Sequence, residues 1–170
     1  MSTSATRREA LALLVGTAAA SVLPGQAFAQ RTMPSRAIPR TAERLPIVGL
    51  GSTRPVTEIA ERGPGPVAAV IRTLVEYGGK VVDTWPRSDA NDSAFGEVID
   101  APDLRDHLFV TINLEQQGRQ AGIDHFERTL RHYRRETIDL VNVGSLTDLE
   151  AHWPSLRAWK EQGRARYIGV

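Results

Sequence analysis

The stretch that decides the fold is "VVDTWPRSDANDSAFGE", residues 81–97. Two valines precede Asp83, so the segment predicts a buried strand that ends in a carboxylate. A polar turn follows, and Asn91 or Asp92 is predicted to cap the helix that starts there. Active sites of α/β proteins lie at the carboxyl ends of parallel strands. Asp83 is therefore a candidate site residue.

The same alternation of strand and helix runs through the rest of the chain. Strands are predicted at residues 45–50, 80–84, 107–112, 137–143 and 166–170, with helical apolar spacing between them. Thr147 with Glu150 predicts a capping box for the last helix. The pattern indicates a parallel sheet, either open and doubly wound or part of a (β/α)8 barrel. Arg54 stands where the third glycine of a dinucleotide fingerprint would be, which weakens the first alternative.

Five motifs in this order resemble the aldo/keto reductase family. They are "LPIVGLGST" (45–53), "GGKVVDT" (78–84), "LFVTINL" (108–114), "TIDLVNVGSLTD" (137–148) and "LRAWKEQGRARYIGV" (156–170). The resemblance implies an α/β fold of the (β/α)8 TIM-barrel type, with only the first five strands present in residues 45–170. Such barrels typically need about 250 residues. It also implies reduction of aldehydes or ketones with NADPH, or sometimes NADH.

The resemblance further implies four catalytic positions, of which this sequence keeps one. Asp83 matches the family's aspartate. Ser88 replaces the tyrosine that donates a proton, Asn113 replaces the lysine and Gly144 replaces the histidine. A serine hydroxyl is a far weaker acid than a phenol, and asparagine carries no charge to lower a neighbour's pKa. We therefore expect an NAD(P)H-dependent oxidoreductase that is catalytically impaired.

The implied ligands are NADPH and a small carbonyl substrate. Weak cofactor contacts are expected at Gly51, Ser52 and Asp83. Two alternatives stay open: a pseudoenzyme that binds a ligand or a partner without turnover, and a degenerate gene fragment. Because five strands leave two edges of a barrel sheet open, we also expect self-association through those edges.

The first residues have the three regions of a signal peptide. Arg7-Arg8 precedes an apolar run at residues 10–22, and Ala27-Phe28-Ala29 offers a cleavage site. Residues 1–29 are predicted to be a twin-arginine signal, so the protein is expected in the periplasm or secreted. The apolar run is shorter than the about 20 residues that span a bilayer, so no stable span is expected after cleavage. Residues 30–44 are interpreted as an extended arm with a short hairpin around Arg40.

Composition argues against several other functions. The net charge of +1 gives no bulk argument for nucleic-acid binding. The chain has no cysteine, and its four histidines are not spaced as metal ligands. Arginines at residues 128, 131, 134 and 135 follow helical spacing, which is typical of a solvated helix face.

Overall fold

The computed structural model describes residues 33–84 and 88–170. The predicted signal peptide lies outside these residues. Seven strands are described: β1 Ser35–Ala37, β2 Arg44–Pro46, β3 Gly49–Leu50, β4 Val81–Thr84, β5 Phe109–Leu114, β6 Ile138–Val143 and β7 Ala165–Gly169. Six α-helices accompany them: α1 Arg54–Thr57, α2 Ile59–Arg62, α3 Gly65–Glu76, α4 Asp89–Ile99, α5 Arg119–His132 and α6 Leu149–Glu161. Within the described ranges, no helix has the length and apolar character needed to cross a membrane.

The main sheet contains β3 to β7 in the order of the sequence, all parallel. A doubly wound sheet would reverse its strand order at a switch point. The unbroken sequential order is that of a (β/α)8 barrel opened after five strands. The predicted fold class is thus confirmed, and the doubly wound alternative is wrong.

One face of this sheet packs against the helices. Side chains alternate along a strand, so Val110, Ile112 and Leu114 of β5 point toward the helix side and belong to the main core. Helix α5 contributes Phe126 to the core, and α6 contributes Trp159, whose ring stacks on Phe126 at 3.9 Å between centroids. The core therefore lies between sheet and helices, and the opposite face is the interior of the partial barrel.

The interior face of the sheet is apolar at one end and polar at the other. Near the amino ends of the strands, the rings of Phe109 and Tyr167 stack with 6.0 Å between their centroids. Toward the carboxyl ends, the same face carries Thr111 and Asn113, both buried. The polar end is the one where a barrel of this type holds its chemistry.

The predicted strand 45–50 is wrong as a single element. Strand β2 pairs antiparallel with β1, and only Gly49–Leu50 joins the parallel sheet. The Ile47 N–H still donates to the Pro34 carbonyl at 2.9 Å, so the antiparallel pairing extends one residue past Pro46 before β3 begins. The predicted hairpin is present, with a left-handed φ of 62° at Arg40 in its turn.

Glu43 connects this hairpin to the amino ends of the strands. Its carboxylate accepts hydrogen bonds from the Tyr167 hydroxyl, at 2.7 Å, and from the Arg166 guanidinium, and it lies 3.5 Å from the Lys80 ammonium. Partial burial alone would raise the pKa of Glu43, but the Tyr167 hydrogen bond and the two cations outweigh burial and lower it. The hairpin is thereby held across the bottom of the partial barrel.

The capping box predicted for the last helix is also wrong. The residue before α6 is Asp148, in a left-handed conformation with a φ of 50°, and its side chain makes no cap hydrogen bond. Instead, its carboxylate accepts the Gly118 backbone N–H at 2.7 Å. Asp148 thus joins the starts of α5 and α6, and the helix continues through Pro154 without a break.

Candidate functional site

The predicted site residues lie at the carboxyl ends of consecutive strands. Register pairs Leu50 with Val82, and Asp83 with Thr111. Gly51 and Ser52 follow directly after β3, and are therefore at the level of Asp83 on the next strand. Because the strands are parallel, these ends meet at one edge of the sheet, where Asn113 of β5 and Asn142 of β6 are also paired in register.

Asp83 accepts two hydrogen bonds from neutral side chains of β5. The Thr111 hydroxyl donates to Oδ1, and the Asn113 Nδ2 donates to the same oxygen at 3.1 Å. Both donors are on the next strand. Thr111 pairs in register with Asp83, and Asn113 is two positions further along β5, so all three side chains are on the same face. The carboxylate therefore has donors that carry no charge.

Ser88 is the N-cap of α4. Its Oγ accepts the backbone N–H of Asn91 at 3.3 Å, and its backbone is extended. The predicted caps, Asn91 and Asp92, are wrong because they lie inside the first turn of the helix. Asn91 instead joins α4 to α1 and α2, donating to the Thr57 carbonyl at 2.7 Å and accepting the Ala60 N–H at 3.0 Å.

Gly144 is buried and begins a 3-10 turn at the end of β6. The next two residues, Ser145 and Leu146, have left-handed φ angles of 52° and 57°. Ser145 Oγ donates to Oε1 of Glu115 at 3.3 Å. The family resemblance assigns a histidine to position 144. In this chain that position is a glycine without a side chain, at the start of a tight backbone turn.

Gly51 is exposed, and a Cβ added there would meet nothing within 4 Å. Ser52 is partly buried. The space around Gly51 is adequate for a ligand that approaches the end of β3. The cofactor contacts expected at these two residues stay a prediction.

The tyrosines and lysines of the chain lie away from Asp83 in the fold. Tyr133 is buried at the end of α5 near Asp92, Tyr167 contacts Glu43, and Tyr77 is exposed after α3. Lys80 precedes β4 and Lys160 is on α6. Among the described residues, neither a phenol nor an ammonium is hydrogen-bonded to the Asp83 carboxylate.

His152 contacts the loop after β5, and its role is packing. It is fully buried in α6, with Nε2 2.7 Å from the Gln116 carbonyl oxygen in the loop after β5. Its ring fills the space that Gly122 leaves on α5. In the part of the chain that the structure describes, no three histidine or carboxylate side chains are grouped as metal ligands.

Two residues of the site were missed in the sequence. Thr111 holds Asp83, and Asn142 lies beside Asn113 with its Oδ1 in the space that Gly169 leaves open on β7. A signal was available: polar residues at alternate positions of an otherwise apolar strand, as in "VTIN" (110–113), mark a polar interior face.

Solved structures match this chain, although no protein-family profile and no curated protein does. A putative aldo-keto reductase from Pseudomonas aeruginosa is 19% identical, with a TM-score of 0.67 over 82% of this chain and 59% of the other. An aldo-keto reductase from Klebsiella pneumoniae in complex with NADPH is 19% identical, with a TM-score of 0.62 over 75% and 45%. The chain has the aldo-keto reductase fold.

A third match is the apo form of the protein Gox0644. It is 26% identical, with a TM-score of 0.59 over 81% of this chain and 49% of the other. The chain spans about half the length of the solved structures that it matches. The aldo-keto reductase fold is therefore present as a partial barrel.

Proposed function

We propose that this chain is an aldo-keto reductase-related protein that binds a ligand at the carboxyl ends of its strands without reducing a carbonyl. The observation that carries the proposal is the pairing of Asp83 with Thr111 and Asn113. A reductase of this family needs a proton donor whose pKa is lowered by a nearby cation. Here the carboxylate is bonded to a hydroxyl and an amide, which supply hydrogen bonds and no charge.

Ser88 and Gly144 support the same conclusion. The Ser88 oxygen already accepts a backbone N–H as a helix cap, and its hydroxyl is a poor acid. Gly144 has no side chain that could orient a carbonyl. Three of the four positions thus retain a structural role while the groups needed for proton transfer are replaced.

The ligand that this proposal favours is NADPH. Gly51 leaves room at the end of β3, and the amides of Asn113 and Asn142 offer donors and acceptors of the kind that a carboxamide recognises. When bound, NADPH would supply a hydride. Gly51, Ser52 and Asp83 would hold the cofactor, in line with the NADPH complex of the fold relative from Klebsiella pneumoniae.

Two measurements on the full chain test this proposal. NADPH is titrated against the fluorescence of the tryptophans, and NADPH absorbance is followed with a panel of aldehydes. We expect saturable binding that Asp83→Leu weakens, with no aldehyde-dependent oxidation. Asp103→Asn, which removes an exposed carboxylate beside Arg72, is the matched control and should bind as the wild type does.

The two halves of the proposal fail in different ways. Aldehyde-dependent oxidation above background would overturn the non-catalytic part and favour an active reductase. Absence of saturable NADPH binding would overturn the ligand. The remaining alternative is a degenerate gene fragment, which predicts neither NADPH binding nor NADPH oxidation. Reading the DNA beyond the codon for Val170 would distinguish this alternative.

We propose export by the twin-arginine route on the basis of the sequence of residues 1–29. A reporter that is active only in the periplasm, fused after residue 29, should be exported. Replacement of Arg7 and Arg8 by lysine should abolish that export. Unchanged export of the double variant would contradict the assignment.

We also propose that the protein self-associates through the edges of its sheet. In the described part of the chain, β3 pairs only with β4, and β7 pairs only with β6. Unpaired strand edges favour pairing with another chain. Light scattering on the eluting protein should show a mass above that of one chain, and a monomer at all concentrations would contradict this proposal.

A further inference from the structure

An open surface groove of about 740 Å³, called the cavity below, lies at the amino ends of β5 to β7, opposite the proposed ligand site. Five arginines line it: Arg105, Arg131, Arg134, Arg135 and Arg164. They come from the turn before β5, the last turns and C-terminal end of α5, and the turn before β7. Arg131, Arg134 and Arg135 belong to the arginine stripe that was predicted to be a solvated helix face. That prediction is wrong for Arg134 and Arg135, which lie beyond the end of α5, and Arg135 is partly buried.

Three carboxylates also line the cavity, those of Asp106, Glu127 and Glu136, so guanidinium groups outnumber carboxylates in the lining by two. Glu127 forms a bidentate pair with Arg164, at 2.7 and 2.8 Å. Asp100 pairs with Arg105, and it lies 3.5 Å from Arg134. The second carboxylate near Arg134, Glu97, is 3.8 Å away, which is too far for a hydrogen bond.

Arg131 and Arg135 form no close ion pair in the described part of the chain, although the charge of Glu127 acts on Arg131, and the charges of Asp139, Asp100 and Asp106 act on Arg135. Arg131 is exposed. Arg135 is partly buried, and its Nη2 donates to the carbonyl oxygens of Arg105 at 3.0 Å and Ile99 at 3.3 Å. Its Nε is buried and makes no hydrogen bond. Burial lowers the pKa of Arg135; the charge of Asp139, with those of Asp100 and Asp106, opposes this shift, and the charge of Arg105 adds to it.

A purely structural alternative is that these arginines cap the negative C-terminal end of α5. The backbone argues against it, because the last carbonyl groups of the helix already have partners. The oxygens of Thr129, Leu130 and Arg131 accept backbone N–H groups at 2.8, 3.1 and 3.2 Å. These three carbonyl groups therefore need no guanidinium donor, although Arg105 Nη2 donates to the Arg134 carbonyl just beyond the helix at 3.1 Å.

We propose that this cavity binds a small phosphate-bearing anion. Guanidinium groups from three separate elements surround the space, and a tetrahedral phosphate can accept hydrogen bonds from several directions, whereas a carboxylate offers two oxygens in one plane. The volume suits a small metabolite. No aromatic side chain lines the cavity among the described residues, which disfavours a single-stranded nucleic acid.

The test uses the full chain and inorganic pyrophosphate as the probe. Binding is measured by isothermal titration at constant ionic strength, so that general screening is held fixed. We expect one saturable site, and Arg131→Gln should weaken it about tenfold or more, as loss of a charge-assisted hydrogen bond predicts. Arg131 is exposed, so this variant should fold normally.

Arg128→Gln is the matched control, since it removes the same charge one turn earlier on α5 and outside the cavity. It should bind pyrophosphate as the wild type does. A second variant, Arg135→Lys, keeps the charge but removes the buried guanidinium fork, and it should also bind more weakly. Equal weakening by Arg128→Gln and Arg131→Gln, equal affinity for citrate, or no saturable binding would each overturn the proposal.

Discussion

At the scale of single residues, Thr111 holds the carboxylate of Asp83 in place. Its hydroxyl donates to Oδ1, on the interior face of the sheet. Thr111→Val keeps the shape and removes the donor. We expect a loss of about 1–3 kcal/mol in the free energy of unfolding, because a hydrogen bond to a charged group is removed. Urea denaturation measures this loss.

Thr57→Val is the control for that substitution. The Thr57 hydroxyl donates to the neutral Arg54 carbonyl at 3.3 Å in α1. Removal of such a bond outside the site should change the free energy of unfolding by about 0.5 kcal/mol or less. Equal losses for the two variants would show that Thr111 contributes no more than an ordinary hydroxyl.

Two buried ionisable side chains predict opposite responses to pH. Asp92 is 6% exposed, and burial, with the charge of Asp89, raises its pKa to about 7. His125 is 5% exposed, and burial, with the charge of Arg128, lowers its pKa to about 4. The usual pKa is 3.8 for the Asp92 carboxyl and 6.5 for the His125 imidazole. The two pKa shifts therefore have opposite directions, and the pH ranges that they cover overlap.

The signs follow from proton linkage. Between about pH 4 and about pH 6.5 the folded protein keeps the Asp92 proton that the unfolded chain loses, so this group makes stability fall as pH rises. In the same range the unfolded chain protonates His125 while the folded protein does not, so stability rises with pH. The two slopes, each at most about 1.4 kcal/mol per pH unit, nearly cancel in the wild type.

Substitution separates the two slopes. Relative to the wild type, His125→Gln should lose stability as pH rises through this range, and Asp92→Asn should gain it. Urea denaturation at several pH values gives the two differences in free energy. Differences that run in the same direction for both variants would contradict the assignment of opposite shifts.

Asp83 was predicted as a site residue from its strand, and Asn113 only through the family resemblance; the contact between them was not predicted. Strand order and the carboxyl-end rule place both residues at the same level. Which donors reach the carboxylate depends on side-chain direction and register, and these come from pairing across strands. Ser88 shows the same limit, because a helix start can be shifted by a few residues when several polar side chains compete to cap it.

At the scale of elements, Gly96 allows α4 to lie directly against the end of α5. An added Cβ would be 1.9 Å from the His132 carbonyl oxygen, which is backbone and cannot rotate away. Gly96→Ala should therefore push the helices apart and destabilise the protein by about 1–3 kcal/mol, the usual cost of overpacking. Thermal or urea denaturation measures this loss.

Gly65→Ala is the matched control in a helix. A Cβ at Gly65, the first residue of α3, would meet nothing within 4 Å. Alanine should be neutral there or stabilise by up to about 1 kcal/mol, since it has the higher helix propensity. If Gly96→Ala and Gly65→Ala change the free energy of unfolding equally, the close approach of α4 and α5 at Gly96 does not require a glycine.

Helices were easier to predict than the first strand, for a physical reason. Helix α3 is fixed by local signals: apolar side chains at helical spacing and a Gly78-Gly79 stop, with Gly78 at a φ of 82°. The segment 45–50 reads as one apolar run, yet its halves pair with different partners. Strand pairing is non-local, so the run alone could not show where one sheet ends and the other begins.

At the scale of the whole molecule, the two ends of the sheet carry different chemistry. The carboxyl ends bring together neutral polar groups around Asp83, and the amino ends carry the arginine-lined cavity. Sequential strand order is what separates them, because every strand runs in the same direction. A variant in one of these sites should therefore leave ligand binding at the other unchanged.

The hairpin of β1 and β2 depends on Glu43 for its attachment to the sheet. Glu43→Gln removes the charge that the Arg166 guanidinium and the Lys80 ammonium face, and we expect a loss of about 1–2 kcal/mol. Hydrogen exchange should quicken at the Ile38 amide, which donates to the Glu43 carbonyl at 2.9 Å. Glu61→Gln, in which an exposed carboxylate without an ion pair among the described residues is changed, is the control.

The pH dependence of this loss distinguishes charge from shape. The pKa of Glu43 is lowered from 4.5, so its stabilising effect is present above that value and is lost as pH falls through the lower, folded pKa. The gap between wild type and Glu43→Gln should therefore close in acid, when both side chains are neutral. A gap that stays constant from neutral to acidic pH would show that the hairpin is held by packing, with the ion pairs contributing nothing measurable.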